Sequence, residues 1–355
     1  GGALRPGPVT VDVRLSGTTS RFLLPVVALG EGRYRVDGGQ PLRARPMGPV
    51  LDGIRTLGAA VEENGEPGHL PVTVTAPGGL VGGDVRVAGD TSSQFLSGLL
   101  LAAPYAAGGV DLSLSTGLVS RPYVALTAQV MADFRVEVVE DDEGTFHVPS
   151  GHYWAREYTV EPDASAASYF LAAAAIAGGR VTVAGLGSAT TQGDARFADV
   201  LAAMGASVSR TATDTTVSMD GPLRGLGDVD LSDLPDMAQT LAVVAVFADA
   251  PTRVRGVGFI RGHETDRIAA VVRELRRCGI DASEEDDGFV VRPGEPQPAR
   301  IETYEDHRMA MSFALLGLRA PGISIAGPGV VAKTFPDYWR ELDALRLPGR
   351  SPELS

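Results

Sequence analysis

The chain has 355 residues, 44% of them hydrophobic and 21% charged, with a formal net charge of −13. That length suggests two domains, and the composition is globular rather than disordered. The lone cysteine, Cys278, excludes a disulfide framework and a cysteine-based zinc site, and the acidity disfavours general nucleic-acid binding while leaving room for a local basic pocket. No apolar run approaches the roughly 20 residues of a membrane helix. No signal peptide is visible, so a cytoplasmic protein is expected.

Forty-four glycines and 24 prolines point to many short elements and turns. The chain opens at Gly1-Gly2, without Met, and runs at once into a strand pattern over 9–15. It reads as a chain that starts inside a domain. From there one pattern recurs: a Gly or Asp turn, small polar residues, then an apolar helix. It is found at Gly17-Thr-Thr-Ser-Arg-Phe-Leu-Leu, Asp90-Thr-Ser-Ser-Gln-Phe-Leu-Ser, Asp163-Ala-Ser-Ala-Ala-Ser-Tyr-Phe-Leu, Asp236-Met-Ala-Gln-Thr-Leu-Ala and Asp306-His-Arg-Met-Ala-Met-Ser-Phe. The spacing is roughly 70–73 residues, longer than solenoid periods. A second helix type alternates with it, starting near Pro46, Pro122, Asp194 and Asp266 and leading into strands such as Ala206-Ser-Val-Ser and Ile280-Asp-Ala-Ser. The repeat unit is therefore strand–helix–strand–helix–strand–strand. Its first helices should be capped by Asp, Ser or Thr and buried, being too apolar for a surface. Several such N-termini converging would favour an anion. The last ten residues are rich in Pro, Ser and Arg, and a disordered tail over 346–355 is expected.

Five polar clusters stand at helix starts. Thr91-Ser92-Ser93-Gln94 offers side-chain donors and reads equally as a phosphate holder or a capping run. Gly117-Leu-Val-Ser120-Arg121-Pro-Tyr123 places a Ser and a Tyr before a Pro-initiated helix. His263-Glu264-Thr265-Asp266-Arg267 is more polar than capping requires, and Tyr304-Glu305-Asp306-His307-Arg308 sets an Arg at the mouth of an apolar helix, where it should meet an anion. Of 31 basic residues only Lys333 is a lysine, in Ala332-Lys-Thr-Phe-Pro-Asp-Tyr-Trp. A compact ammonium where a guanidinium fork does not fit would explain it. Arg, Lys and His at helix starts of an acidic chain suit a small, multiply anionic ligand.

In chain order, Asp90-Thr-Ser-Ser-Gln-Phe-Leu, Leu118-Val-Ser-Arg-Pro-Tyr, Asp163-Ala-Ser-Ala-Ala-Ser-Tyr-Phe-Leu, Gln192-Gly-Asp-Ala-Arg-Phe-Ala-Asp-Val-Leu, His263-Glu-Thr-Asp-Arg, Glu305-Asp-His-Arg-Met-Ala-Met and Lys333-Thr-Phe-Pro-Asp-Tyr resemble the 5-enolpyruvylshikimate-3-phosphate synthase family. The resemblance spans about residues 1–345. It implies an α+β (mixed α/β) fold of two domains, each of three βαβαββ copies with buried parallel helices: residues 1–161 on the shikimate 3-phosphate side, and 162–345 carrying the acid–base pair and the phosphoenolpyruvate side. It places the active site in the cleft between them, with closure on substrate. It implies transfer of enolpyruvyl from phosphoenolpyruvate to the 5-hydroxyl of shikimate 3-phosphate, with release of phosphate, by a monomer needing no cofactor or metal.

Carried over by position, Ser92, Ser93, Gln94, Ser120, Tyr123, Asp236 and His263 would hold shikimate 3-phosphate. Gly17, Arg45, Gln94, Arg267, Arg308 and Lys333 would hold phosphoenolpyruvate. Asp236 would take the 5-hydroxyl proton and Glu264 would protonate the methylene, two carboxyl groups dividing the work. Four departures accompany the match. The family's N-terminal Lys-Ser motif and a following Arg would fall before Gly1, which leads to the expectation that this chain by itself binds and turns over poorly. Leu15 and Phe259 stand where relatives carry Asn, and His263 replaces a Lys but can still donate a hydrogen bond. Two rivals are a sister enzyme acting on UDP-N-acetylglucosamine and a non-catalytic relic. Against the first, the loop Gly38-Gly-Gln-Pro-Leu-Arg-Ala-Arg45-Pro lacks the sister's cysteine. The absent N-terminal motif favours the second, whereas Asp236, Glu264, Arg308 and Lys333 oppose it.

Overall fold

The computed structural model describes residues 4–345. The expected tail, 346–355, lies outside the described residues. The chain divides into two compact units, with the division between Thr159 and Val160.

In the first unit the 9–15 pattern becomes the strand Val9–Asp12, whose side chains alternate between half-buried and exposed as a pleated edge requires. It pairs parallel with Glu31–Asp37, which pairs antiparallel with Val72–Pro77, and Ala60–Glu63 closes that side. Parallel neighbours need a crossover, and the helix Gly17–Ala28 supplies it. The same order recurs in the next sheet, where Gly83–Val87 is parallel to Val110–Leu114, then Phe146–Val148 and Val139–Glu140 follow antiparallel. Its crossover is the helix Gln94–Ala102, seven of whose nine residues are buried. This helix packs against Gly17–Ala28 so closely that a Cβ at Gly98 would lie 2.5 Å from the Arg21 carbonyl oxygen. Only glycine fits there.

The second unit holds one complete copy, with Gly227–Asp230 parallel to Thr252–Arg255, followed antiparallel by Gly288–Val291 and Ala282–Glu285. Before it, Gly179–Ala184, Asp214–Met219 and Ser207–Arg210 form a three-stranded antiparallel sheet. After it, Ala299–Ile301 and Ile323–Ile325 pair in parallel. Among the described residues the first unit thus carries two full copies of the repeat, and the second carries one full and two partial copies, against the three per domain implied by the resemblance. Burial of the first-type helices follows their composition. All eight residues of Ala238–Ala245 are buried, and Ala164–Ala177 buries ten of 14. Each unit has its own apolar core, drawn from 13–148 in the first and from 169–338 in the second.

Candidate active site

Capping was expected at every first-type helix, and it differs from copy to copy. Ser16 accepts from Thr19 N, and Asp163 accepts from Ala166 N. Asp236, the matching residue of the next copy, is not at a cap position. It sits in a 3₁₀ turn, Pro235–Met237, and the helix Ala238–Ala245 has no side-chain cap. Its carboxylate is taken up instead by two arginines, with Arg267 Nη1 donating at 2.8 Å and Arg308 Nη2 at 2.7 Å.

Arg267 is the centre of the site. It opens the helix Arg267–Arg277, capped by Asp266, and its side chain is only 2% exposed. A buried guanidinium must have all its donors satisfied. Besides Asp236, its Nη2 donates to Glu264 at 2.9 Å and its Nε to Asp306 at 2.7 Å. Nη1 also lies 3.2 Å from His263 Nδ1; since a guanidinium only donates, that ring nitrogen accepts and its proton sits on Nε2. Lys333 Nζ donates to the other Glu264 oxygen at 2.7 Å. Three carboxylates and three cations therefore interlock. Burial pushes the Asp236 carboxyl up, but Arg308 and Arg267 outweigh it and hold it well below the ordinary carboxylate range. Asp306 is likewise held low against its burial, by Arg267.

Of the second-unit candidates, the structure brings Asp236, Glu264, His263, Arg267, Arg308 and Lys333 into this one network. Phe259 lies edge-on to the His263 ring at 5.8 Å.

In the first unit, Gly17 lies directly under Arg45. A Cβ there would come within 2.7 Å of Arg45 Nη1, so the guanidinium occupies the space a side chain would need. Gln94 begins its helix, Ser93 is buried at the cap position, and Ser92 Oγ accepts from Gln94 N at 3.3 Å. Ser120 adopts a left-handed backbone (φ 53°), an unfavourable one for serine, directly before the helix Arg121–Asp133. Tyr123 is half-buried in that helix's first turn, not ahead of it.

Three side chains outside the expected set take part. Arg21, buried, donates to Ser92 Oγ at 3.2 Å and Gln94 Oε1 at 3.0 Å and lies over the Phe95 ring, tying two candidate residues together. Its signal in the sequence is an arginine in the second turn of an apolar helix. Asp306 both caps Arg308 N at 2.8 Å and accepts from Arg267. Tyr169 receives a hydrogen bond from Arg308 at 3.3 Å, and burial pushes its phenol up to about 12 against the pull of that arginine.

The profile of EPSP synthase (3-phosphoshikimate 1-carboxyvinyltransferase) matches residues 1–342. The chain belongs to the EPSP synthase family. It is 46% identical over 340 residues to the 3-phosphoshikimate 1-carboxyvinyltransferase of Nostoc punctiforme, an alignment covering 96% of this chain and 79% of that protein. The namesake from Shewanella loihica is 42% identical, with 93% and 78% covered. Among solved structures, the EPSP synthase of Acinetobacter baumannii superposes with a TM-score of 0.78 at 25% identity, over 96% of this chain and 79% of that one. The enolpyruvyl transferase NikO of Streptomyces tendae, at 21% identity and a TM-score of 0.73 over 92% and 76% of the two chains, shares the fold. The family fold, a mixed α/β enolpyruvyl transferase architecture, is thus the one the repeats build.

Proposed function

We propose that the chain transfers the enolpyruvyl group of phosphoenolpyruvate to the 5-hydroxyl of shikimate 3-phosphate, releasing phosphate, with Asp236 as base and Glu264 as proton donor. The observation that carries the assignment is that one buried guanidinium, Arg267, holds both carboxylates while Arg308 and Lys333 hold their other oxygens. These three cations are the ones that the motif resemblance leads us to expect on phosphoenolpyruvate, a substrate bearing a carboxylate and a phosphate. Arginine forks and a lysine ammonium suit those groups.

The pairing has a chemical consequence. Asp236 is ionised at neutral pH because Arg308 and Arg267 stabilise its charge. When an anionic substrate draws on those cations, the stabilisation weakens and the carboxylate becomes a stronger base at the moment the 5-hydroxyl must lose its proton. Glu264 is paired with Lys333 and Arg267, and a substrate that takes those cations frees Glu264 to carry a proton to the methylene. In this reading Gly17 and Arg45 act on phosphoenolpyruvate, and Ser92, Ser93, Ser120, Tyr123 and His263 on shikimate 3-phosphate, with Gln94 serving both. A monomeric, cytoplasmic enzyme of small molecules completes it.

The test is phosphate release from the two substrates. Asp236→Asn and Glu264→Gln should each lower kcat by about 10²–10⁴-fold, the usual share of a general acid or base. Full activity in either variant would remove that residue's role.

A further inference from the structure

The network above rests on two strands of chain, the helix Arg267–Arg277 and the turn before His307–Ala314, and they must be held in register. We propose that Glu274 does this. It is a positioning residue that fixes the Tyr304–Glu305 turn and so sets Asp306 and Arg308 against Arg267. The inference rests on the site assignment made above.

Glu274 is fully buried, on the same helix as Arg267 and seven residues on. That interval is two turns, about 10 Å along the axis, on one face of the helix. A buried carboxylate is costly unless it is fully hydrogen-bonded. Glu274 accepts from Glu302 N at 3.0 Å, from the Tyr304 hydroxyl at 2.5 Å and from Arg277 Nε at 2.9 Å. Two of these bonds go to the segment leading into Asp306. There the backbone needs holding, because Tyr304 and Glu305 are both left-handed, with φ of 53° and 58°. Neither is glycine, and consecutive left-handed L-residues persist only where their surroundings impose them. Arg273 lies over the Tyr304 ring at 5.7 Å, from the same helix. Directly after the turn, Asp306 takes Arg267 Nε, and Arg308 reaches Asp236. The two segments are therefore linked twice, at Arg267–Asp306 inside the site and at Glu274 behind it. An apolar side chain could fill the same buried volume but could not hold the turn.

Three variants test this: Glu274→Gln, Tyr304→Phe, and Arg277→Ala, which removes an ion-pair partner of Glu274 while leaving its bonds to the turn. Phosphate release is measured against each substrate, together with the Nε–H resonance of Arg267, which burial should protect from exchange. Glu274→Gln should raise KM for phosphoenolpyruvate about tenfold, leave KM for shikimate 3-phosphate within about twofold, and move the Arg267 resonance. Tyr304→Phe should act in the same direction to a smaller extent, and Arg277→Ala should leave both KM values unchanged. A merely structural Glu274 would lower the amount of active protein, and hence apparent kcat, with both KM values intact. That result, or an unmoved Arg267 resonance in both Glu274→Gln and Tyr304→Phe, overturns the proposal. If the parent chain turns over too slowly for KM values, the Arg267 resonance alone decides for or against the positioning role, and the site assignment is judged separately by Asp236→Asn and Glu264→Gln. Should Glu274→Gln not fold, Tyr304→Phe decides it by the same readouts.

Discussion

His307 stands between two residues of the network yet bonds to neither partner in the usual way, its Nδ1 lying 3.6 Å from Asp306 Oδ1. Burial, and after it the neighbouring Arg308 charge, hold its imidazole down at about 4 from an ordinary value of 6.5. Between those two values the unfolded chain binds a proton that the folded chain does not. Stability therefore falls as pH drops from about 6.5 to about 4, by roughly 3 kcal/mol in all from this group. Asp236, held low, adds loss in the same direction once pH falls through and below its ordinary 3.8. Urea midpoints measured from pH 7 to pH 4 should show this slope in the parent chain and a flatter one in His307→Gln. Parallel profiles would assign the slope to other groups.

At the scale of the element, one repeat position is spent three ways. Asp163 caps its helix, Asp306 caps and also binds Arg267, and Asp236 lies off the cap position and binds Arg267 and Arg308. Asp163→Ala should thus cost about 1 kcal/mol of stability and leave kcat unchanged, which melting and phosphate release measured on one preparation would check. This division also shows how much the sequence reveals. The alternation of helix types, the burial of Phe170-Leu-Ala-Ala-Ala-Ala-Ile and the polar clusters at helix starts are all local patterns, and a pattern of period 3.6 or 2 is visible without the fold. The two ion pairs on Asp236 are not local. Its partners lie 31 and 72 residues away, so an aspartate at a helix start reads as a cap. Arg21 escaped for the same reason, with Ser92 and Gln94 found 71 and 73 residues on, one repeat further along. Glu274 escaped because a carboxylate flanked by Arg273, Arg276 and Arg277 looks like surface charge until its burial is seen.

For the molecule as a whole, the decisive feature is that the two cores share no residue. Each unit is above the size at which a single core sustains itself, so the chain should not unfold as one cooperative block. Calorimetry should resolve two transitions. Phe289→Ala, which empties a fully buried site in the second core, should lower one of them by the equivalent of about 3–5 kcal/mol and leave the other in place. A single transition that shifts as a whole would show the units to be energetically joined.

The interlocked charges around Arg267 also bear on what can occupy the site. Its three cations already have counter-ions, and those counter-ions are anchored to the chain. Binding an anion there is accordingly an exchange rather than an addition. The newcomer competes with carboxylates whose local concentration is fixed by the backbone and does not fall on dilution. A simple anion such as chloride gains little by such a swap, whereas a molecule carrying two acidic groups at the right separation can displace several anchored partners at once. Selectivity against the common salts of the cell then comes from the occupants the protein supplies to itself, before any shape is recognised.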